Sequence, residues 1–307
     1  MSESIRKKEC PGGWAQGGSY VIDFIKNVRE MGLEYGVHEV FTTSLELTAV
    51  SLAAQTDPSC SAEREKRYSE ITKGMSPELL NRYADLTAIM FLAILEHRNE
   101  PRDVLGEIYH ELNLYQEWNG QYFTPDYIGR LMAELIGPAM NEEPHDRVTT
   151  VLEPACGSGV LIIGKACAMM KRGIDYRTRC LFVARDIDIR CVWMCYIQMV
   201  LYQIPAVVIH GNTLTGEEWD HWHTPGFYAL KKMKGTDMKK QKFKEKIKVA
   251  VVVRNGFVEQ ILASTPECLE ADVIDLDNTD PEGRKFSEER LERAKKELQS
   301  VNQEEMP

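Results

Sequence analysis

Apolar positions along this chain recur first at helical spacing and then in strand-length runs. From Tyr20 to Met31 the apolar residues Val21, Phe24, Ile25, Val28 and Met31 fall on one helical face. Val37 to Ala54 predicts a second helix, begun near Thr42, Thr43 and Ser44. Gln55 to Lys73 is polar and charged, the pattern of a connection or an exposed helix. Ser76-Pro77 marks a helix start, with serine at the N-cap and proline in the first helical position. Leu79, Leu80, Tyr83, Leu86, Ile89, Met90 and Ile94 continue that helix, and Asp103 to Leu114 predicts another after Pro101. Residues 20 to about 118 therefore read as all-helical, behind a polar, glycine-containing arm at 1–18.

The period then changes. Gly120 to Pro125 leads into a helix with Ile128, Leu131, Met132 and Leu135. Val148, Val151 and Leu152 begin a β-branched run that ends at Glu153. Gly157 and Gly159 permit a tight turn and close backbone approach, and a helix runs from Val160 to about Met170. Cys180 to Ala184 is a second strand, closed by Arg185-Asp186-Ile187-Asp188, before a helix from Ile189 to Tyr202. Ala206 to Ile209 is a third, ending in His210-Gly211-Asn212-Thr213-Leu214. Glu217 to His223 is too polar for a buried strand, whereas Val249 to Val253 reads as a fully buried one. Glu259 to Ala263 predicts a short helix, and Ser287 to Val301 an exposed one. Strands alternating with helices predict an α/β, Rossmann-like parallel sheet behind a helical N-terminal domain. The expected divisions are a helical region at 1–118, an α/β domain at 119–265 and an acidic tail at 266–307.

A strand feeding a glycine turn and a helix N-terminus makes a ligand crevice. A dinucleotide fingerprint would carry a third glycine, which is missing here. Glu153 at the mouth of the turn repels a pyrophosphate but pairs with an ammonium group. S-adenosylmethionine (SAM) has an ammonium and no phosphate, so the charge favours it. An ordinary strand-to-helix turn capped by Ser158 would have the same pattern. Asp186, at the end of the second strand, is where such a sheet holds an adenosine ribose through two acceptor bonds. Asp188 fits an N-cap for the next helix. Asn212 can accept a hydrogen bond from an adenine amine with its amide oxygen, or simply sit in a Gly-Asn turn.

Charge complicates the choice of partner. The net charge of −10 opposes DNA binding unless cations are segregated. They are: nine lysines lie between Lys231 and Lys248, while the chain after Glu267 is mostly acidic. That lysine stretch reads as a solvated insertion or as a phosphate contact. The 8 cysteines lack a C-x-x-C pair and read as buried thiols of a reducing cytoplasm rather than metal ligands. No apolar run is long enough for a membrane span, and the first residues lack a signal-peptide core.

Glu153-Pro154-Ala155-Cys156-Gly157-Ser158-Gly159 resembles the D/N-P-A-C-G-S-G motif of amino-group DNA methyltransferases. The likeness is greatest to the adenine-N6 type and to the modification subunits of type I restriction systems. Upstream, Gly120-Gln121-Tyr122-Phe123-Thr124-Pro125 resembles their G-Q-F/Y-F/Y-T-P motif. The resemblance spans roughly Leu105 to Phe257. It implies a SAM-dependent methyltransferase fold, with SAM as cofactor and DNA as substrate. It also implies a possible specificity or partner subunit. Tyr122, Phe123, Thr124 and Pro125 would lie beside the methionine of SAM. Glu153, Ala155, Gly157, Ser158 and Gly159 would form the cofactor turn. Asp186 would grip the ribose, with Ile187 and Asn212 at the adenine. Arg254-Asn255-Gly256-Phe257 resembles a later V-x-P-N-G-x-L segment, with Arg in place of Pro.

One departure matters. The family orients the adenine amine with D/N-P-P-Y/F and stacks the aromatic on a flipped-out base. The chain has no such tetrapeptide; its nearest match is Thr224-Pro225-Gly226-Phe227, which makes Thr224, Pro225 and Phe227 the catalytic candidates. Threonine lacks the carbonyl, and losing one such group costs ~3–4 kcal/mol by analogy with an oxyanion-hole donor. A target-recognition domain, which reads the DNA sequence in that family, is not expected within these 307 residues. Two functions are therefore expected: an adenine-N6 DNA methyltransferase, or a SAM-binding, catalytically weak subunit or regulator of a restriction or anti-restriction system.

Overall fold

Five helices build the helical region, α1 (Ser19–Tyr35), α2 (Val37–Thr56), α3 (Ser61–Thr72), α4 (Pro77–Leu95) and α5 (Val104–Glu111), and α6 (Asp126–Ile136) follows, packed on the helix after the first strand. The computed structural model describes residues 19–114, 124–136 and 148–233, the backbones of three strands between 247 and 275, and Glu292. Phe24 of α1 and Tyr109 of α5 both stack on Phe41 of α2, at 6.3 and 5.9 Å between ring centroids. Each such pair adds about 1 kcal/mol to simple burial. The second helix begins at Val37, as predicted, directly after Gly36, which adopts φ 86° and turns the chain in one residue. Ser76 caps α4 as expected, its hydroxyl accepting from Leu79 N at 3.2 Å. Polar Gln55 to Lys73 contains α3, a helix whose one buried residue is Arg64.

The α/β part adds β1 (Thr149–Glu153), α7 (Val160–Lys171), α8 (Tyr176–Arg179), β2 (Cys180–Asp186), α9 (Ile189–Leu201), β3 (Ala206–Asn212), β4 (Glu217–His223) and α10 (Pro225–Met233). The sheet order is β1-β2-β3-β4. β1, β2 and β3 run parallel, with Glu153 opposite Ala184 and Asp186 opposite His210. Two successive right-handed crossovers in one direction put α7 and α9 on the same face. α9 then lies between the sheet and α2, which is why residues on every side of it are buried, without a break from Cys191 to Met199. This is the Rossmann-like α/β arrangement with a helical N-terminal region.

Polar β4 is nonetheless a strand. It pairs antiparallel to β3 as a sheet edge, where only one side needs apolar cover. Trp222 supplies that cover at 2% exposure. The charged residues of β4 are paired: Asp220 takes both terminal nitrogens of the buried Arg64 guanidinium at 2.8 and 2.7 Å, and Glu218 pairs with Arg185 and His221. Arg64 also lies 3.6 Å over the Trp222 ring. A bulge between His210 and Gly211 shifts the register, so Trp219 has no partner in the ladder.

The described residues cluster as two compact units, 1–213 with 217–233, and 214–216 with 234–307. The second contains β5 (Ile247–Arg254), β6 (Phe257–Ala263) and β7 (Leu269–Asp275), in the order β6-β5-β7. β5 falls on the predicted buried strand. The predicted helix at Glu259 to Ala263 is instead part of β6, antiparallel to β5 with Val249 opposite Ala263. A seven-residue segment with apolar pairs flanking Glu259-Gln260 fits either period, and the pairing with β5 decides it. The predicted arm at 1–18, most of the lysine stretch and the predicted terminal helix at Ser287 to Val301 lie outside the described residues, apart from Glu292. Among the described residues no helix is long and apolar enough to cross a membrane.

Candidate cofactor site

Parallel strands deliver their last residues to one edge of the sheet. Glu153 ends β1, Asp186 ends β2 and Asn212 ends β3, so the three predicted strand-end residues reach the same edge in steps, Glu153 level with Ala184 and Asp186 level with His210, each end two residues beyond the last. The turn after β1 folds over this edge. Cys156 N donates to Arg185 O at 2.9 Å, and Gly157 N donates to Asp186 Oδ2 at 2.8 Å. Gly159 N donates back to Cys156 O at 2.8 Å. Gly157 and Gly159 have φ of 52° and 102°, the left-handed region that a side chain strains. A Cβ on Gly159 would also come within 2.9 Å of Met199 Cε. Thr213 closes the edge by donating from Oγ1 to Pro154 O at 2.5 Å.

The two acids are held in a half-buried, like-charged pair. Burial pushes the Glu153 carboxyl up, Asp186 adds to it, and the Ala155 N–H opposes. Burial likewise raises Asp186, against the N–H groups of Asp188 and Gly157. Asp188 N donates to Asp186 Oδ1 at 2.9 Å. A carboxylate has about four acceptor sites, so Asp186 retains capacity beyond the backbone N–H groups of Asp188, Gly157 and Ile187. Such a pair favours a cation and hydroxyl donors and rejects a phosphate. Asp188 caps α9 as predicted, accepting from Arg190 N at 2.9 Å.

Beside Asp186, Ile187 is 60% exposed and presents an apolar surface. Sequence reasoning passed over its neighbours. His210 Nε2 donates to Ile187 O at 3.2 Å, and the half-exposed Trp219 ring lies edge-on to His210 at 4.8 Å. The bulge in β4 aims that ring, a device with no local sequence signal.

The remaining predicted residues divide. Ala155 is exposed on the turn. Ser158 lies in the turn, but its side chain is 0% exposed and bonds Asp103 at 2.5 Å, away from solvent. Its hydroxyl therefore braces the turn from behind. Thr124 and Pro125 are half-buried ahead of α6, with Pro125 O accepting from Ile128 and Gly129. Tyr122 and Phe123 lie outside the described residues.

Thr224, Pro225 and Phe227 do not join the site. β4 is antiparallel, so its C-terminal end lies beside the start of β3, with His223 opposite Val207. Asn212 is five residues further along β3 than Val207, roughly 17 Å away. Thr224 is 0% exposed, and its Oγ1 accepts from Ala206 N at 2.9 Å while donating to Ile204 O at 2.8 Å. A hydroxyl so placed fixes the β4–α10 corner and has no access to a substrate amine. No cluster of three or more His, Cys, Asp or Glu residues suited to a metal ion occurs among the described residues.

Residues 100–257, just over half of the chain, match the family model described as N-6 DNA Methylase. A Listeria monocytogenes structure assigned to the class I S-adenosylmethionine-dependent methyltransferases aligns at 13% identity and TM-score 0.37, over 83% of this chain and 99% of that one. The methyltransferase subunit of a type I restriction-modification system from Streptococcus thermophilus aligns at 12% identity and TM-score 0.30, over 66% of this chain and 59% of that one. Comparison with curated proteins gives no match. On the strength of the family-model match, the chain belongs to the N-6 DNA methylase family.

Proposed function

We propose that this chain binds SAM at the carboxyl edge of the β1–β4 sheet and transfers its methyl group to the N6 amine of adenine in DNA. The observation that carries the reading is the pair of raised carboxyls, Glu153 and Asp186, at adjacent strand ends around a two-glycine turn. SAM supplies an electrophilic methyl group on a sulfonium. Glu153 pairs with the ammonium of its methionine. Asp186, with acceptor capacity left, takes the ribose hydroxyls. Ile187, Trp219 and Asn212 line the adenine side, and the backbone of Ala155, Gly157 and Gly159 carries the middle. Thr124 and Pro125 close the methionine side. DNA is the proposed partner, with a further subunit supplying sequence recognition.

A specific observation favours a second reading. The amine needs an acceptor beside the methyl donor, and Thr224 stands at the other edge of the sheet. On that reading the chain is a SAM-binding, catalytically weak subunit of a restriction or anti-restriction system. Calorimetry with SAM, together with tritium transfer from labelled SAM to mixed-sequence DNA, tests both. Binding with labelled DNA supports the enzyme. Binding without label supports the subunit, and no heat with SAM sinks both.

A further inference from the structure

Ser158 lies between two glycines held at positive φ, so its own turn restrains it weakly. Two bonds from outside the turn hold it. Its Oγ donates to Asp103 Oδ2 at 2.5 Å, and its carbonyl accepts from Gln198 Nε2 at 2.8 Å. Gln198 Nε2 also donates to Asp103 Oδ1 at 2.8 Å, which closes a ring of three residues from α9, the turn and the residue before α5. The Gln198 carbonyl accepts from Leu105 N at 3.3 Å, so its amide is oriented at both ends. Asp103 is 6% exposed, and burial raises its carboxyl against these donors.

Capping alone does not account for Asp103. As N-cap of α5 it needs only the bond from Gly106 N, at 3.0 Å. Its other two partners, Ser158 and Gln198, both hold the glycine turn. Gly106 fits the same purpose: a Cβ there would lie 2.1 Å from Asp103 Oδ2 and 2.7 Å from Ser158 Oγ, so any side chain would part them. The Asp103 backbone N donates to Asp126 Oδ1 at 3.2 Å, and Arg130 ties Asp126 to Glu100 and Pro101. The start of α6, just after Thr124-Pro125, is thereby joined to the same brace.

We propose that Asp103 is a positioning residue for the cofactor turn, holding Ser158 from behind so that α5, α6 and α9 together set the backbone on which SAM rests. This rests on the reading of the crevice as a SAM site.

Three variants test it. Asp103→Ser keeps a good cap for α5 but is too short to reach Ser158 or Gln198. Ser158→Ala cuts the same link from the other end and leaves α5 alone. Asp103→Asn keeps both the length and the cap. Calorimetry is expected to show SAM affinity reduced roughly tenfold in Asp103→Ser and in Ser158→Ala, and held within about threefold in Asp103→Asn. The Asp103→Ser/Ser158→Ala double variant is expected to bind no worse than the weaker single, because both remove one link. Hydrogen exchange on the ligand-free protein gives a second readout. Amides 156–160 are expected to exchange faster in the first two variants, with the last turn of α5 unchanged. A pure cap would not separate serine from asparagine. Wild-type SAM affinity in Asp103→Ser, losses that multiply in the double variant, or an unchanged exchange rate at the turn overturns the proposal. If the wild-type protein gives no heat with SAM, the cofactor reading fails by itself, and the exchange rates still decide the brace.

Discussion

At the carboxyl edge of the sheet, Glu153 and Asp186 are acids with acceptor sites to spare. At the amino edge, Asp57 is an acid with all its sites taken. Asp57 receives Ser59 N, Ser59 Oγ and Tyr228 OH on Oδ1, at 3.0, 2.5 and 2.6 Å, and His223 N and Nδ1 on Oδ2, at 3.0 and 3.1 Å. Its side chain is 0% exposed. Burial opposes its charge, but the bonds from His223, Ser59 and Tyr228 outweigh burial and hold its carboxyl far below the usual range. Glu153 and Asp186 move the opposite way. One edge is saturated and joins the α2–α3 turn to β4. The other is left wanting a cation. Hydrogen-bond saturation thus separates a structural acid from the acids of the proposed site where residue type does not.

The sharpest break of this contrast is at Asp57. Asp57→Ala strands His223 and Tyr228, and is expected to cost about 3–5 kcal/mol of folding stability, read by denaturant unfolding. Below the unfolding transition its SAM affinity is expected to stay at the wild-type value. Glu153→Ala reverses the pattern. It relieves a like-charge pair, so unfolding stability is expected to hold or rise slightly. SAM affinity is expected to drop about a hundredfold, equivalent to ~2.7 kcal/mol. Glu153→Ala that binds SAM normally would remove the distinction between the edges.

Trp219 sharpens the comparison within the carboxyl edge. Its half-exposed ring faces the side assigned to adenine, and base–aromatic contacts are worth ~1–3 kcal/mol. Trp219→Ala is expected to weaken SAM binding roughly tenfold with little change in stability. The quenching of tryptophan fluorescence by SAM should diminish in the same variant. Equal quenching in wild type and variant would place the ring outside the site.

The acids were legible in the sequence because their signals are local. An apolar run of strand length that stops at a carboxylate puts Glu153 and Asp186 at strand ends, and a right-handed parallel sheet brings those ends together. What escaped depends on partners far along the chain. β4 looked too polar because Asp220 is matched by Arg64, 156 residues away. Its direction, which moved Thr224 from the crevice to the opposite edge, follows from pairing with β3 and from no residue of its own. Ser158 was assigned to the cofactor by its motif, yet its hydroxyl turns to Asp103, 55 residues upstream. The run at Phe257 to Ala263 fits two periods, and β5 selects one.

Acidity offers the last and smallest separation. Asp57 has a folded value below its unfolded one, near 4. Its contribution is complete above about pH 4 and drains as pH falls further. Glu153 and Asp186 have folded values above their unfolded ones, so between the two the native state holds more protons than the unfolded chain. Raising the pH through that window therefore removes stability from the ligand-free protein, and the effect is complete above the folded values. A bound cation favours the ionised acids, so SAM affinity is expected to rise with pH across the same window and then level off. The change is expected to be a few-fold, on the order of 1 kcal/mol or less. Glu153→Gln should flatten this rise, while Asp57→Asn should leave it intact and instead shift the acid limb of the melting curve. If SAM affinity is flat with pH in the wild-type protein, Glu153 and Asp186 do not ionise in response to the ligand, and the two edges differ in burial alone.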